Sequence, residues 1–286
     1  MDRRIKKYIK TKQKLINLLE EQKQAIIHQA VTRGLDPNVP LKPSGVEWLG
    51  DVPGHWRVLP NRETLSIRSQ IVGKFSSEHL LLSLTVNGVI ARDLENPTGK
   101  FPLSFDSYQV VLPNDLIFCL FDIDETPRTI GFSELSGMIT AAYTVCTCSS
   151  AETAKFLYYL YLDKDFHKSL KPYYSGLRKV IQKARFLSIK IALPTLKEIT
   201  EIINYINIKV NEIESLKIYY LDQIKAIKEY NSCLVSDVVT GKLDVREVAS
   251  RLPDELHDLS EVIEDISVED IIDNGEELQE DVMEEE

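Results

Sequence analysis

No apolar run in this 286-residue chain approaches the roughly 18 residues needed to cross a bilayer, so neither a membrane-spanning helix nor a membrane partner is expected. The basic start, Met1-Asp2-Arg3-Arg4-Ile5-Lys6-Lys7, leads into an amphipathic pattern and not an apolar signal core, so the expected location is cytoplasmic. The four cysteines form no CxxC and no Cys/His cluster. Cys146-Thr147-Cys148 can be read as a metal half-site lacking companion ligands nearby or as two ordinary strand cysteines; no metal is expected. The chain lacks a phosphate-cradling Walker A run and an Asn-Pro-Pro-Tyr or Asp-Pro-Pro-Tyr motif for amine methylation; Asn96-Pro97-Thr98-Gly99 is not one. Asp122, Asp124 and Glu125 read either as a metal-binding carboxylate group or as a solvated turn after the apolar run Phe118–Phe121. These absences leave no catalytic residue and no cofactor to assign.

Positive charge is missing from residues 252–286, which hold sixteen Asp or Glu and no Lys or Arg. The other 251 residues hold 34 basic and 28 acidic side chains, a net of +6, although the whole chain carries −10. A mildly basic body with an acidic tail suits nucleic acid better than the average suggests. Leu256, Leu259, Val262, Ile263 and Ile266 give the tail the periodicity of a short amphipathic helix; it reads either as a solubilising or disordered tail or as an acidic mimic that covers the basic stretch until DNA displaces it.

What is present is organised around residues 197–240. Ile199, Ile203, Ile206, Val210, Ile213, Tyr220, Ile224, Ile227, Leu234 and Val238 keep a 4-3 spacing that only Lys217 and Asn231 break. Such spacing makes the seam of a coiled coil, and about 40 residues rising 1.5 Å each give a rod of about 60 Å. A shift of 208 maps Val31-Thr32 and Leu35-Asp36 onto Val239-Thr240 and Leu243-Asp244. The same shift maps Ile5, Ile16, Leu19, Ile26 and Ala30 onto seam positions, and Lys23 onto Asn231. The chain therefore reads as a partial helix at 5–31, an intervening domain and a full copy of the helix.

Between the helices the pattern changes. Leu35–Pro40 is a proline-broken linker. Both tryptophans, Trp48 and Trp56, lie among turn formers and are expected to clamp a domain edge. Leu80–Val86 runs into the hairpin turn Asn87-Gly88. Tyr108–Leu112, Leu116–Phe121, Tyr143–Cys148 and Phe186–Leu193 read as strands, and 152–170 as a helix with Phe156, Leu157, Leu160 and Tyr161 on one face. From Phe166 to Lys190 there is no acid. This stretch supplies the candidate DNA-binding residues Lys168, Lys171, Tyr173, Tyr174, Ser175, Gly176, Arg178, Lys179, Lys183 and Arg185. Cations neutralise phosphates, tyrosines stack or hydrogen-bond, and glycine admits close backbone approach. A solvated surface loop is the alternative.

Ser44-Gly45-Val46-Glu47-Trp48-Leu49-Gly50, with Val52-Pro53 and His55-Trp56, resembles the opening of a target-recognition domain in specificity subunits of Type I restriction-modification systems. Gly137–Tyr143 resembles another motif of those domains. Leu193-Pro194-Thr195-Leu196-Lys197-Glu198-Ile199 resembles their approach to the conserved helix, though the family usually has a second proline, another acid and a glutamine where this chain has Thr195, Lys197 and Ile199. Val239–Asp244 resembles the end of that helix, and Val31–Asp36 is its copy. The resemblance covers about residues 5–248. It implies an α+β fold, with one mixed α/β target-recognition domain flanked by long antiparallel coiled-coil helices. The divisions are 1–33 (partial conserved helix), 34–44 (linker), 45–195 (recognition domain), 196–241 (coiled-coil helix) and 246–286 (acidic tail).

The resemblance further implies a non-catalytic subunit that binds double-stranded DNA and docks methyltransferase and restriction subunits. S-adenosylmethionine, ATP and Mg would then belong to those partners alone. Family members usually carry two recognition domains, whereas this chain has room for one, so a second half-specificity chain or a homodimer is expected. A helix of about 27 residues against one of about 42 leaves about 15 without an internal partner. The expected subunit interface is Ile213, Tyr220, Ile224, Ile227, Leu234 and Val238, with the last four on the uncovered part. Two rivals remain, a free-standing dimeric DNA-binding regulator and a coiled-coil assembly protein with no DNA role. Truncation after Ala249 tests the tail. A mimic predicts tighter DNA binding by the truncated chain at matched salt, and unchanged affinity rules the mimic out.

Overall fold

The computed structural model describes residues 3–92, 104–123 and 125–249. Asn96–Gly99, Lys100, Asp124 and the acidic tail lie outside the described residues. In chain order, α1 (Arg3–Arg33) is followed by β1 (Leu41–Pro43), β2 (Asp51–Pro53), β3 (Arg57–Pro60), β4 (Leu65–Ile67), β5 (Leu82–Thr85), β6 (Gly88–Ala91), β7 (Gln109–Val111) and β8 (Leu116–Phe118). Then come β9 (Ile130–Phe132), β10 (Gly137–Ile139), β11 (Thr144–Cys148), α2 (Ala151–Phe166), α3 (Lys183–Ser188), β12 (Lys190–Leu193), α4 (Leu196–Val239) and α5 (Arg246–Ala249). This is a mixed helix and strand fold with a long C-terminal helix. The described residues form two units, the larger within 15–217 and the smaller made of 3–14 with 218–249.

The larger unit is built on an antiparallel sheet in the order β4-β11-β8-β9. Asn87-Gly88 makes the expected hairpin, with Thr85 opposite Gly88 in β5–β6. Helix α2 starts at Ser150, whose hydroxyl accepts the Thr153 N–H. Phe156, Leu157, Leu160 and Tyr161 are buried on it, as their spacing predicts. Cys146 and Cys148 are strand residues on β11, and burial pushes both thiols up to about 12, which disfavours the thiolate a metal would need. The strand expected at Phe186–Leu193 is corrected in its first half. Phe186, Leu187 and Ser188 close a helical turn in which the Phe186 N–H donates to Gln182 O and the Ile189 N–H to Phe186 O. Burial of Phe186 against Phe118, at 4.7 Å between ring centroids, favours the turn over alternation.

The tryptophans do more than clamp an edge. Trp56 is 1% exposed, packs edge-on to Phe156, and donates its Nε1–H to Glu198 Oε1 at 2.9 Å. Trp48 stacks on Tyr161 at 6.2 Å. Glu198 stands in the first turn of α4, where Thr195 Oγ1 accepts its N–H. Strand β12 pairs antiparallel with β3, so Leu193 lies opposite Arg57 just before that turn.

Within the larger unit the helices run antiparallel, with Ile27, Ala30 and Val31 of α1 sharing one core with Ile199, Ile202, Ile203 and Ile206 of α4. Lys217, which breaks the seam pattern, closes a ring of four charges. Lys23 lies 2.6 Å from Glu20 and 2.8 Å from Glu214; Lys217 lies 2.7 Å from Glu20 and 3.3 Å from Glu214. In the smaller unit Tyr8 donates to Gln223 at 3.0 Å and the Lys12 ammonium sits 4.4 Å from the Tyr220 ring centroid. Ile9 and Ile224 are both buried there.

The expected surplus seam is accordingly shorter. Ile213 is buried within the larger unit, and Ile224 and Tyr220 are covered in the smaller one. Ile227 and Leu234 are half-buried and Val238 is exposed. The reason is register and not length: Tyr8, already within the expected 5–31 helix, sets against Gln223, so the cover of α1 reaches Ile224 instead of stopping short of it.

Burial alone would raise the Glu20 carboxyl, but hydrogen bonds and charges from Lys217 and Lys23 outweigh it and hold the group below its ordinary 4.5. Glu214 is likewise pushed up by burial and brought down further by Lys23 and Lys217. A lowered carboxyl pKa stabilises the fold above the unfolded value, and that stability is lost as pH falls through the folded value. Urea midpoints measured between about pH 7 and about pH 3.5 should therefore drop more for the native chain than for Lys217→Met. Equal losses would remove the ring from the stability account.

Candidate nucleic-acid interface

The basic stretch begins at the C-terminal end of α2 and folds back as a small hairpin. Ser175 and Val180 exchange backbone hydrogen bonds at 3.1 and 3.0 Å, and the Lys179 N–H donates to Gly176 O. The tip is Gly176-Leu177-Arg178-Lys179. Gly176 has φ +76°, in the left-handed region that glycine tolerates, and a Cβ there would meet nothing within 4 Å. Leu177 is fully exposed at the tip. The turn after β8 holds the hairpin: the Asp122 N–H donates to Arg178 O, and the Ile181 N–H to Leu120 O. Asp122 thus serves a turn, with Glu125 and Thr126 N–H both donating to its carbonyl.

The sequence-predicted site residues divide by what they touch. Lys168 is not on the open surface. Its ammonium lies 2.9 Å from Asp165 Oδ1 and donates to Thr126 O at 2.8 Å. Asp165 is buried and also accepts the Thr129 N–H. Lys179 faces Glu125 at 3.4 Å. The stretch lacks acids in sequence, yet these two acids reach it in space. Tyr173 and Tyr174 are half-buried against the core. Ser175 donates its hydroxyl to Val180 O. Arg185 donates to Pro172 O at 3.0 Å and lies 5.7 Å from the Tyr173 ring centroid, which fixes its guanidinium on the hairpin's flank. Lys171, Arg178, Lys183 and Arg185 are the exposed cations of the group.

The hairpin, the segment before it and α3 therefore carry four exposed cations, one of them, Arg178, at the glycine-led tip. That suits a polyanion followed along its backbone. Leu177, fully exposed at that tip, was not among the predicted site residues. The available signal was a leucine between Gly176 and Arg178 with no apolar neighbour on either side.

No family model and no curated protein matches the sequence. Among solved structures, the chain resembles one from a study of complex assembly and conformational transition of the type I R-M system, with a TM-score of 0.56 and 15% identity. The match covers 82% of this chain and 55% of that one. The HsdS subunit from Thermoanaerobacter tengcongensis aligns at 16% identity over 84% of this chain and 55% of its own, with a TM-score of 0.44. The S subunit of a Type-I restriction-modification system from M. genitalium aligns at 13% identity over 80% and 56%, with a TM-score of 0.41. The chain has the fold of the first of these type I R-M chains and spans 55% of its length. Among the described residues no helix is long and apolar enough to cross a membrane.

Proposed function

We propose that this chain is a DNA-recognition subunit of a Type I restriction-modification system, reading one half-site through the hairpin and α3 edge. The observation that carries the reading is the architecture: one mixed domain inserted between two antiparallel helices, in the fold of a type I R-M chain, with exposed cations grouped around a tight hairpin. In this reading the chain does no chemistry itself. Methylation and cleavage belong to methyltransferase and restriction subunits, which dock on the paired helices, and S-adenosylmethionine, ATP and Mg are theirs. The single domain reads half of a split site, and a second recognition domain, on another copy or another chain, reads the rest. Two identical copies about a two-fold axis read a palindromic split site.

A free-standing dimeric regulator is the competing reading. It binds its site tightly alone, whereas the proposed subunit binds weakly until a methyltransferase joins it. Light scattering on the complex with methyltransferase should show two recognition domains per assembly; a strict monomer, alone and in that complex, would sink the pairing.

The hairpin reading separates two kinds of lysine. Replacing Lys171, Arg178 and Lys183 by Ala together should weaken DNA binding and flatten the salt dependence by about one unit of slope for each phosphate no longer neutralised. Lys168→Ala should leave that slope unchanged and cost about 1–3 kcal/mol of stability, because it strips the buried Asp165 of its ammonium. An unaltered slope in the triple variant would move the DNA surface away from the hairpin.

A further inference from the structure

His28, Asp163 and His167 converge although 135 residues separate the first two. His28 Nδ1 lies 2.9 Å from Asp163 Oδ1, and His167 Nε2 lies 3.8 Å from the same oxygen. The three donor atoms fall within 4.8 Å of one another. Tetrahedral bonds of 2.0–2.2 Å place ligand atoms about 3.4 Å apart, so small rotations of the two rings complete the set. The histidine side chains are 47% and 52% exposed, while the Asp163 carboxylate is 2% exposed. Asp163 Oδ2 is buried and makes no hydrogen bond among the described residues. Its charge partner is the buried Lys164 ammonium, 3.0 Å away. Lys164 opposes a second cation, yet it also steadies the carboxylate with Oδ1 turned to the histidines, as outer partners of metal ligands do.

We propose that these three side chains bind one first-row transition cation, such as Zn2+, which cross-links α1 to α2. Two imidazoles and a carboxylate suit Zn2+, Co2+ or Ni2+, and leave a position for water. Mg2+ and Ca2+, which take oxygen ligands, do not fit the set. The bound ion fastens the N-terminal helix to the helix that opens the basic stretch, so metal tightens the body that carries the hairpin. The sequence showed no such cluster because only Asp163, in the last turn of α2, and His167, which caps that helix, are close in sequence, and His28 comes from α1.

The full chain, stripped with EDTA and desalted, provides the test. Titration with ZnCl2 should give one equivalent bound and a rise in Tm that EDTA reverses, as linkage requires for a ligand of the folded state. Co2+ in place of zinc should give a visible d–d absorption. His167→Ala and His28→Ala should each weaken zinc binding by about tenfold or more and abolish the cobalt band, whereas His79→Ala should behave as the native chain. His167 is exposed, so its variant stays folded even if an Asp163 variant does not. Absence of any zinc-dependent rise in Tm, or a rise kept in both His28→Ala and His167→Ala, overturns the site and leaves a plain His28–Asp163 contact between helices.

Discussion

The Glu198 carboxylate is where this fold is tied. One oxygen accepts the indole N–H of buried Trp56, and the other lies 2.8 Å from His55 Nε2. Gly34, just past the end of α1, sits against the same group with φ +77°; a Cβ there would come 3.2 Å from Glu198 Oε1 and 3.6 Å from the Trp56 ring. The end of the first helix, the tryptophan segment and the first turn of α4 thus meet at one carboxylate. The meeting has a topological purpose. The chain leaves α1, builds the sheet, and must return close to its point of departure for α4 to lie antiparallel to α1. Pairing of β12 with β3 brings it back, and Glu198 fixes the angle at which α4 begins. A buried donor left without its acceptor costs about 1–3 kcal/mol, enough to make this carboxylate more than decoration in a marginally stable domain.

From that knot the two long helices acquire their register. In the larger unit it is held by apolar residues near the domain and by the four-charge ring of Glu20, Lys23, Glu214 and Lys217. A lysine inside a coiled-coil seam weakens packing but selects alignment. Here it selects the one in which two carboxylates of opposite helices share two ammonium groups. The candidate interface depends on the same body. Its hairpin is held from behind by the 120–125 turn, and the lysine nearest α2 is spent on Asp165. The cations that remain outward are those on the hairpin tip, its flank and α3.

Much of this was legible in the sequence. The 4-3 spacing of Ile199 to Val238 located α4, its shifted copy located α1, Asn87-Gly88 located a hairpin, and the face of Phe156 to Tyr161 located α2. These are local periodicities, and burial respects them. What stayed hidden depends on partners distant in sequence. Trp56 and Glu198 are 142 residues apart, so nothing local marked the glutamate as the acceptor of an indole. The stretch 166–190 lacks acids, but Asp165 precedes it by one residue and Glu125 comes from another loop, and these remove Lys168 and Lys179 from the open cations. The alternation Leu187, Ile189, Ile191, Leu193 imitated a strand from Phe186 onward, but the buried pair at its start is Phe186 and Ile189, three residues apart, which a helical turn satisfies and a strand does not. The cover that α1 gives Ile224 depends on the register that sets Tyr8 against Gln223, which helix length alone did not reveal.

The central claim is that the hairpin at 175–180 and the adjoining α3 meet DNA. Backbone hydrogen exchange of the full chain in complex with a methyltransferase, with and without a duplex bearing its site, tests this most directly. Slower exchange on adding DNA at the amides of Gly176 to Arg185, with α4 unchanged, is the predicted result. Protection confined to other loops, with these amides exchanging as fast as before, would contradict it.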